Sequence, residues 1–160
     1  GRSMILEIHV ARAPVELEGL EVEVERRSDY LDRIGFYERR RYGFGSFIDV
    51  EAMDVSRILT PGQLLTRLPG TSLDSNDEPY FHRAQRTDLT GERRGRCVPV
   101  IVIDGSTVRT TMQSGEDRFE DLVRATEISA IEVYRSTVQV PVEWKTGANS
   151  CGMIMIWTKH

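Results

Sequence analysis

Residues 99–105 read PVIVIDG, an uninterrupted apolar run that ends in an Asp-Gly pair. A short apolar run bounded by turn-forming residues is typical of a strand buried on both faces. The pair Asp104-Gly105 favours a tight turn, because glycine adopts a positive φ without steric cost. A second apolar segment, GMIMIW at residues 152–157, predicts another buried strand.

Helical and alternating patterns surround these strands. Tyr30, Ile34 and Tyr37 recur at helical spacing and predict one helix from Ser28 to Gly43, whose arginines at positions 39–41 form a solvated end. The remaining predicted elements are an extended piece at 45–50, a helix opened by Thr60-Pro61 and closed by Pro69-Gly70, a strand at 108–111, a helix at 117–125 and a strand at 128–134. We therefore expect an α+β fold with a small mixed β-sheet, short helices and an extended N-terminal strand or arm.

Length and composition limit the classes of function. The chain has 160 residues, 39% of them hydrophobic, and a formal net charge of −4, a balance that argues against a nucleic-acid partner. Its longest apolar runs have six residues, whereas a membrane-crossing helix needs about 18 to 20. We expect residues 1–19 to form an N-terminal arm, in which 6–10 could be the last strand of an upstream β-sandwich domain, and residues 20–160 to form one domain.

Residues 74–96 form a polar, turn-rich segment. It contains Ser75-Asn76-Asp77 and two glycines, Gly91 and Gly95, and predicts the longest loop of the chain. Loops of this length are commonly functional. We therefore expect this loop to be the place where any small ligand would bind.

The two cysteines stand at corresponding places. Cys97 and Cys151 each lie just before one of the two central apolar segments. If those strands run parallel and adjacent, both sulfurs reach the same end of the sheet, and a disulfide becomes feasible. The alternative is a pair of buried reduced cysteines. A disulfide would close a loop of about 54 residues and would indicate an oxidising compartment.

Sequence patterns for catalysis and cofactor binding are missing. The histidines His9, His82 and His160 are scattered, no zinc-ligand spacing occurs, and the glycines do not form a phosphate loop. We therefore expect no metal site, no cofactor and no enzymatic activity. One catalytic alternative stays open, a hydrolase or transferase in which Cys97 acts with His82.

Four blocks of the sequence together resemble the plug domain of TonB-dependent outer-membrane receptors. In chain order they are LLTRLPGT at 64–71, PVIVIDG at 99–105, ISAIEVYR at 128–135 and GMIMIWTK at 152–159. The resemblance covers residues 60–159. It departs from the family at Ser136-Thr137, where the family usually has Gly-Pro.

The resemblance implies a non-catalytic gating and protein-interaction domain of a Gram-negative transport system, on the periplasmic side of the outer membrane. Its implied partners are a TonB-type energy-transducing protein or a β-barrel that the plug occludes. The alternative is a stand-alone periplasmic binding or adaptor module that has the plug fold and no barrel.

The resemblance also implies roles for particular residues. A TonB-box segment, which a partner recognises by strand addition, would fall on the alternating residues Leu20, Glu21, Val22, Glu23 and Val24. The alternative is that this segment pairs within the domain's own sheet. Glu132 and Arg135 would face the surrounding barrel wall, and the alternative for these two is a structural ion pair with each other.

Overall fold

The computed structural model describes residues 1, 27–53, 60–87, 93–109 and 118–159. The strands in these ranges are β1 (Ser46–Asp49), β2 (Thr71–Leu73), β3 (Pro79–Thr87), β4 (Arg93–Cys97), β5 (Val100–Ile103), β6 (Ser106–Arg109), β7 (Ile128–Tyr134) and β8 (Met153–Thr158). The helices are α1 (Asp29–Arg33), α2 (Phe36–Tyr42), α3 (Pro61–Leu65) and α4 (Phe119–Leu122), with 3-10 segments at Ala125–Glu127 and Val142–Gly147. The fold is α+β, as the sequence predicted.

Five strands form a mixed sheet in the order β1-β7-β8-β5-β6. β5 and β8 run parallel, with Val100 opposite Met153, and the other neighbouring pairs are antiparallel. The two apolar segments are therefore adjacent parallel strands, which is the condition on which the expected disulfide depended. Asp104 (φ 47°) and Gly105 (φ 80°) form the turn from β5 to β6, and two successive positive φ angles match the twist of an antiparallel hairpin.

Both faces of this sheet are covered, which explains why β5, β7 and β8 are apolar almost throughout. One face packs against α3, α4 and a second sheet of order β2-β3-β4. That core contains Leu64, Leu65, Phe81, Ile101, Phe119, Ile131 and Ile154. The opposite face packs against α1 and α2. Its core contains Leu31, Phe36, Val102, Tyr134, Met155 and Trp157.

The helix predicted from Ser28 to Gly43 is instead two helices. α1 ends at Arg33 and α2 begins at Phe36, and Gly35 between them has a φ of 74°. A residue in the left-handed region ends an α-helix, so the chain changes direction there. Both helices still bury apolar side chains, Leu31 from α1 and Phe36 from α2. The helical spacing alone therefore did not reveal the break.

The loop predicted over residues 74–96 is wrong for most of its length. β3 and β4 pair as an antiparallel hairpin, with Phe81 opposite Cys97 and a register shift after His82. β2 adds to the other edge of β3. In the described part of this segment, which leaves out residues 88–92, the turn that starts at Asp74 matches the loop prediction, and the Asp74 carboxylate accepts hydrogen bonds there from the N–H groups of Asn76 and Glu78.

The start of α3 confirms the predicted cap. The Thr60 side chain accepts a hydrogen bond from the N–H of Gln63, and Pro61 occupies the first helical position. Gly70 then adopts a φ of 78°, which turns the chain into β2. The helix predicted at 117–125 is shorter in the structure, since α4 covers four residues and a 3-10 segment follows.

Candidate functional site

A disulfide joins the two sheets. Cys97 is the last residue of β4 and Cys151 lies just before β8, and their Cα atoms are 5.3 Å apart in the bonded pair. The predicted pairing is confirmed. A disulfide sulfur is not a thiolate, so Cys97 in this state cannot be the nucleophile of the hydrolase or transferase alternative. His82 lies opposite Arg96 in the pairing of β3 with β4, one position from Phe81, which lies opposite Cys97, and its Nε2 is 2.6 Å from the Oγ of Ser72.

A fully buried carboxylate lies at the centre of the opposite face of the large sheet. Glu132 on β7 has no exposed surface. Arg39 of α2 donates two hydrogen bonds to it, Nε to Oε2 at 2.9 Å and Nη2 to Oε1 at 2.7 Å. The indole N–H of Trp157 donates to Oε1 at 2.6 Å, and the Tyr134 hydroxyl donates to Oε2. Four donors therefore satisfy both oxygens of a buried charge, as its burial requires.

Arg39 is held from several sides. Its Nη1 donates to the carbonyl oxygen of Ile34 at 2.6 Å, and its guanidinium carbon lies 4.8 Å from the ring centroid of Trp144. Burial alone would lower the pKa of Arg39, but the hydrogen bonds and the charge of Glu132 outweigh it and raise this pKa. The ion pair thus keeps the arginine charged inside the protein.

Tyr134 stays protonated for related reasons. Burial is the largest cause that raises the pKa of its hydroxyl, and the neighbouring carboxylate of Glu132 raises this pKa further. The raised pKa values keep the Arg39 guanidinium charged and the Tyr134 hydroxyl neutral at neutral pH. The hydrogen bonds among Glu132, Arg39, Tyr134 and Trp157 connect α2 to the large sheet.

The ion pair predicted between Glu132 and Arg135 is wrong, because Glu132 pairs with Arg39. Residues three apart on a strand point to opposite faces of the sheet, so these two side chains cannot meet. Arg135 is exposed and lies over Gly70, where an added Cβ would be 2.4 Å from its Nη1. Glu132 is enclosed by its own chain and does not face outward toward a barrel wall. For Arg135, contact with a barrel wall stays a prediction.

An apolar cleft of about 400 Å³ opens beside the buried network. Its walls are Tyr42, Phe44 and Val138, and Tyr134 and Val140 lie at its base. These five residues are called the apolar cleft below. The wall residues are 71%, 80% and 85% exposed. Among the described residues only two other large hydrophobic side chains, Val108 and Val142, are exposed, so exposed apolar surface is concentrated here.

Two hydrogen bonds set the shape of this cleft. The side-chain amide of Gln139 donates to the carbonyl oxygen of Phe44 at 2.9 Å, and its oxygen accepts from the N–H of Arg135 at 2.8 Å. Gly45 approaches the ring of Tyr134 so closely that an added Cβ would lie 2.8 Å from Cε1. The segment 42–45 is therefore fixed against the end of β7, which places Phe44 at the rim. No sequence pattern indicated this cleft, because its walls come from segments about 95 residues apart.

The remaining predicted sites are not tested by these contacts. The predicted TonB-box segment lies outside the described residues; it consists of Leu20, Glu21, Val22, Glu23 and Val24. Residues 2–19 of the predicted arm lie outside them as well. A small ligand at segment 74–96 stays a prediction. Within the described ranges, the structure brings together no group of three or more residues suited to hold a metal ion. No helix in the same ranges has the length and apolar character needed to cross a membrane.

Comparison with the models of known protein families, with curated proteins and with solved structures found no match to this chain.

Proposed function

We propose that this chain is a plug-type, non-catalytic gating and protein-interaction domain of a TonB-dependent outer-membrane transport system. It would work on the periplasmic side of the outer membrane. Its partners would be a TonB-type energy-transducing protein, a β-barrel, or both. The alternating residues 20–24 would be the segment that the TonB-type protein recognises by strand addition.

The observation that carries this proposal is the meeting of all four resembling blocks in one core. The blocks at 99–105, 128–135 and 152–159 supply β5, β7 and β8, three consecutive neighbours in the sheet. The block at 64–71 supplies Leu64 and Leu65, which pack in the same buried cluster as Ile131 and Ile154. Four separate similarities thus belong to a single structural unit.

The disulfide supports the proposed compartment. Disulfides persist in the periplasm and are rare in the reducing cytosol. The bond between Cys97 and Cys151 joins the edge of the small sheet to a strand of the large one. Stabilisation of this kind suits a domain that is held in an oxidising environment.

The chemistry of the buried groups supports a non-catalytic role. Glu132 has the burial typical of a catalytic carboxylate, but its two oxygens already accept four hydrogen bonds. Displacing Arg39 to admit a substrate would leave the buried charge of Glu132 uncompensated, and displacing Tyr134 or Trp157 would leave a buried oxygen with fewer hydrogen bonds. The exposed apolar cleft, in contrast, offers a contact surface that needs no rearrangement.

A pull-down with two baits tests this proposal. The purified chain is incubated with the C-terminal periplasmic domain of a TonB-type protein and, separately, with a refolded barrel of a TonB-dependent receptor. A plug-type domain binds at least one bait, and deletion of residues 16–25 removes binding to the first. A stand-alone adaptor module of the same fold would bind neither bait. Two reactive thiols in the folded protein would instead favour the enzyme alternative.

A further inference from the structure

One carboxylate lies at the edge of the apolar cleft. Glu38 comes one helical turn before Tyr42 on α2, and residues four apart on a helix share a face, so both side chains line this cleft. Among the described residues of the lining, Glu38 is the one with an acidic side chain, and it is exposed. In the part of the chain that the structure describes, its carboxylate has no hydrogen-bond or ion-pair partner. A negative charge is therefore available beside an apolar surface.

Aromatic rings form much of the same cleft. Tyr42 and Phe44 supply rings to its walls, and the ring of Tyr134 lies at its base. The face of an aromatic ring carries partial negative charge and attracts a cation that comes within about 6 Å of its centroid. The ring of Tyr134 is held in place, because its hydroxyl donates to Glu132 and its centroid lies 6.0 Å from that of Phe47 in a T-shaped contact. The rings and the carboxylate of the cleft therefore favour a ligand of the same charge.

Two arginines of α2 lie near the cleft. Arg39 lines it, but the charge of Arg39 is balanced by a two-point ion pair with Glu132. Arg41 is not part of the lining, and its guanidinium carbon lies 5.2 Å from the ring centroid of Tyr42. This contact is a cation–π pair, so a ring of the cleft already attracts a positively charged group. Because Arg41 is exposed, water and salt screen its repulsion of a second cation.

The size and the remaining lining of the cleft limit the ligand further. A volume of about 400 Å³ lies near the lower end of the range of ligand pockets, which indicates a small molecule. Val138, Val140 and Pro141 add apolar surface to the rings. A hydrated inorganic cation would not use this apolar surface, and a neutral apolar molecule would not use the charge of Glu38. The lining therefore favours a cationic group that is attached to an apolar body.

We propose that the apolar cleft binds a small organic cation that carries an alkylated ammonium group on an apolar body. The ammonium group lies between the carboxylate of Glu38 and the ring of Tyr42, and the apolar body contacts Phe44 and Val138. This site is separate from residues 20–24 and from the segment 74–96. It goes beyond the proposed docking function and does not depend on it.

Chemical-shift titration of the ¹⁵N-labelled full chain tests the site. The probe is benzyltrimethylammonium. Two control ligands divide its features, since tetramethylammonium keeps the charge without the ring and benzyl alcohol keeps the ring without the charge. We expect saturable shifts of the backbone amides at 42–45 and 138–140, with a dissociation constant of about 0.1–1 mM for the probe. Either control ligand should bind at least about fivefold more weakly.

Matched variants test the contribution of charge. Glu38→Gln should weaken binding of the probe about three- to fivefold and leave benzyl alcohol within about twofold. Glu127→Gln, which removes an exposed carboxylate elsewhere, should leave both affinities within about twofold. Arg41→Gln removes a like charge, so the probe should bind at least as tightly as to the unaltered chain. Added salt should weaken the probe more than benzyl alcohol.

A second set of variants tests the ring and the apolar contact. Phe44→Leu keeps an apolar side chain but removes the ring, and should weaken binding of the probe about threefold. Val138→Ser should weaken it about three- to fivefold. Val108→Ser, which changes an exposed valine on β6, should leave affinity within about twofold. Urea unfolding of each variant identifies any that lose affinity by failing to fold, and the comparison of the three ligands on the unaltered chain needs no variant.

Four results would overturn the proposal. They are the absence of saturable shifts at 42–45 and 138–140, equal affinities of the probe and benzyl alcohol, equal effects of Glu38→Gln and Glu127→Gln, and weaker binding of the probe to Arg41→Gln. These titrations contain neither a TonB-type protein nor a barrel. Failure of the cation site is therefore distinguishable from failure of the proposed function.

Discussion

Arg39 and Glu132 form a two-point ion pair between side chains that are 93 residues apart in the sequence. The pair ties α2 to the middle of β7. Because α2 supplies Tyr42 to the apolar cleft, this connection also fixes that cleft relative to the central sheet. A surface mounted in this way is preorganised, which reduces the entropy lost when a partner binds.

Replacing the buried carboxylate should destabilise the fold strongly. In Glu132→Gln, Arg39 loses the negative charge with which it pairs. The new amide N–H₂ group then lies against hydrogen-bond donors, at the place where a carboxylate oxygen had accepted their hydrogen bonds. We expect the free energy of unfolding to fall by about 3 to 5 kcal/mol in urea denaturation. Glu38→Gln removes an exposed carboxylate from the same helix and should change stability by less than about 0.5 kcal/mol. Similar losses for both variants would contradict the structural role of Glu132.

The raised pKa of Tyr134 makes stability fall at alkaline pH. The folded protein keeps this proton at pH values where the unfolded chain, with the ordinary value of 10.0, releases it. The contribution is therefore complete below about pH 10 and is lost as pH rises further. Tyr134→Phe should reduce the alkaline slope of the unfolding free energy by up to about 1.4 kcal/mol per pH unit. Tyr30 and Tyr37, whose pKa values are also raised, leave a residual slope. An unchanged slope in Tyr134→Phe would be inconsistent with this assignment.

The disulfide should stabilise the small sheet more than the large one. It spans 54 residues, and the chain-entropy treatment gives about 4 kcal/mol for a loop of this size. We expect the double variant Cys97→Ala and Cys151→Ala to lose about this amount. Hydrogen exchange should accelerate most in β3 and β4, because β8 keeps its pairing with β5 and β7. Equal acceleration in β4 and β8 would show that the bond does not act as a local tether.

Alanine substitutions at two glycines with positive φ distinguish the cost of backbone strain from the cost of steric overlap. At Gly105 (φ 80°) an added Cβ meets nothing within 4 Å, whereas at Gly152 (φ 96°) it would lie 1.9 Å from the carbonyl oxygen of Tyr134. Gly105→Ala should cost about 1 to 2 kcal/mol. Gly152→Ala should cost at least about 2 kcal/mol more or prevent folding, since backbone atoms must shift to admit the Cβ. Comparable thermal stabilities of the two variants would contradict the close approach at Gly152.

The sequence predicted the elements whose signal is local. β5, β7 and β8 are apolar runs buried on both faces, and their turn and cap residues, such as Asp104-Gly105 and Thr60-Pro61, act within a few positions. The disulfide was predictable because both cysteines precede strands that could lie parallel. The pairing of β3 with β4 was not predictable, because the polar residues of these strands resemble those of a loop and the strands are defined by their pairing with each other and with β2.

The candidate site was harder to predict than the fold. Arg39 was assigned to a solvated helix end with its neighbours, although its side chain is only 15% exposed. One signal was available, since Glu132 is the single charged residue in the strand sequence ISAIEVY and therefore needed a buried partner. Nothing local identified that partner as Arg39. The apolar cleft likewise arises only when α2 packs beside β7.

Titration calorimetry of the full chain with the C-terminal domain of a TonB-type protein tests the central claim of plug-type docking most directly. The account predicts a one-to-one complex with micromolar affinity, weakened at least about tenfold by deletion of residues 16–25 and insensitive to Glu38→Gln. A chain that is folded by circular dichroism and retains its disulfide, yet gives no complex with this domain and none with a refolded receptor barrel, would contradict plug-type docking. Equal affinity with and without residues 16–25 would contradict the role of that segment.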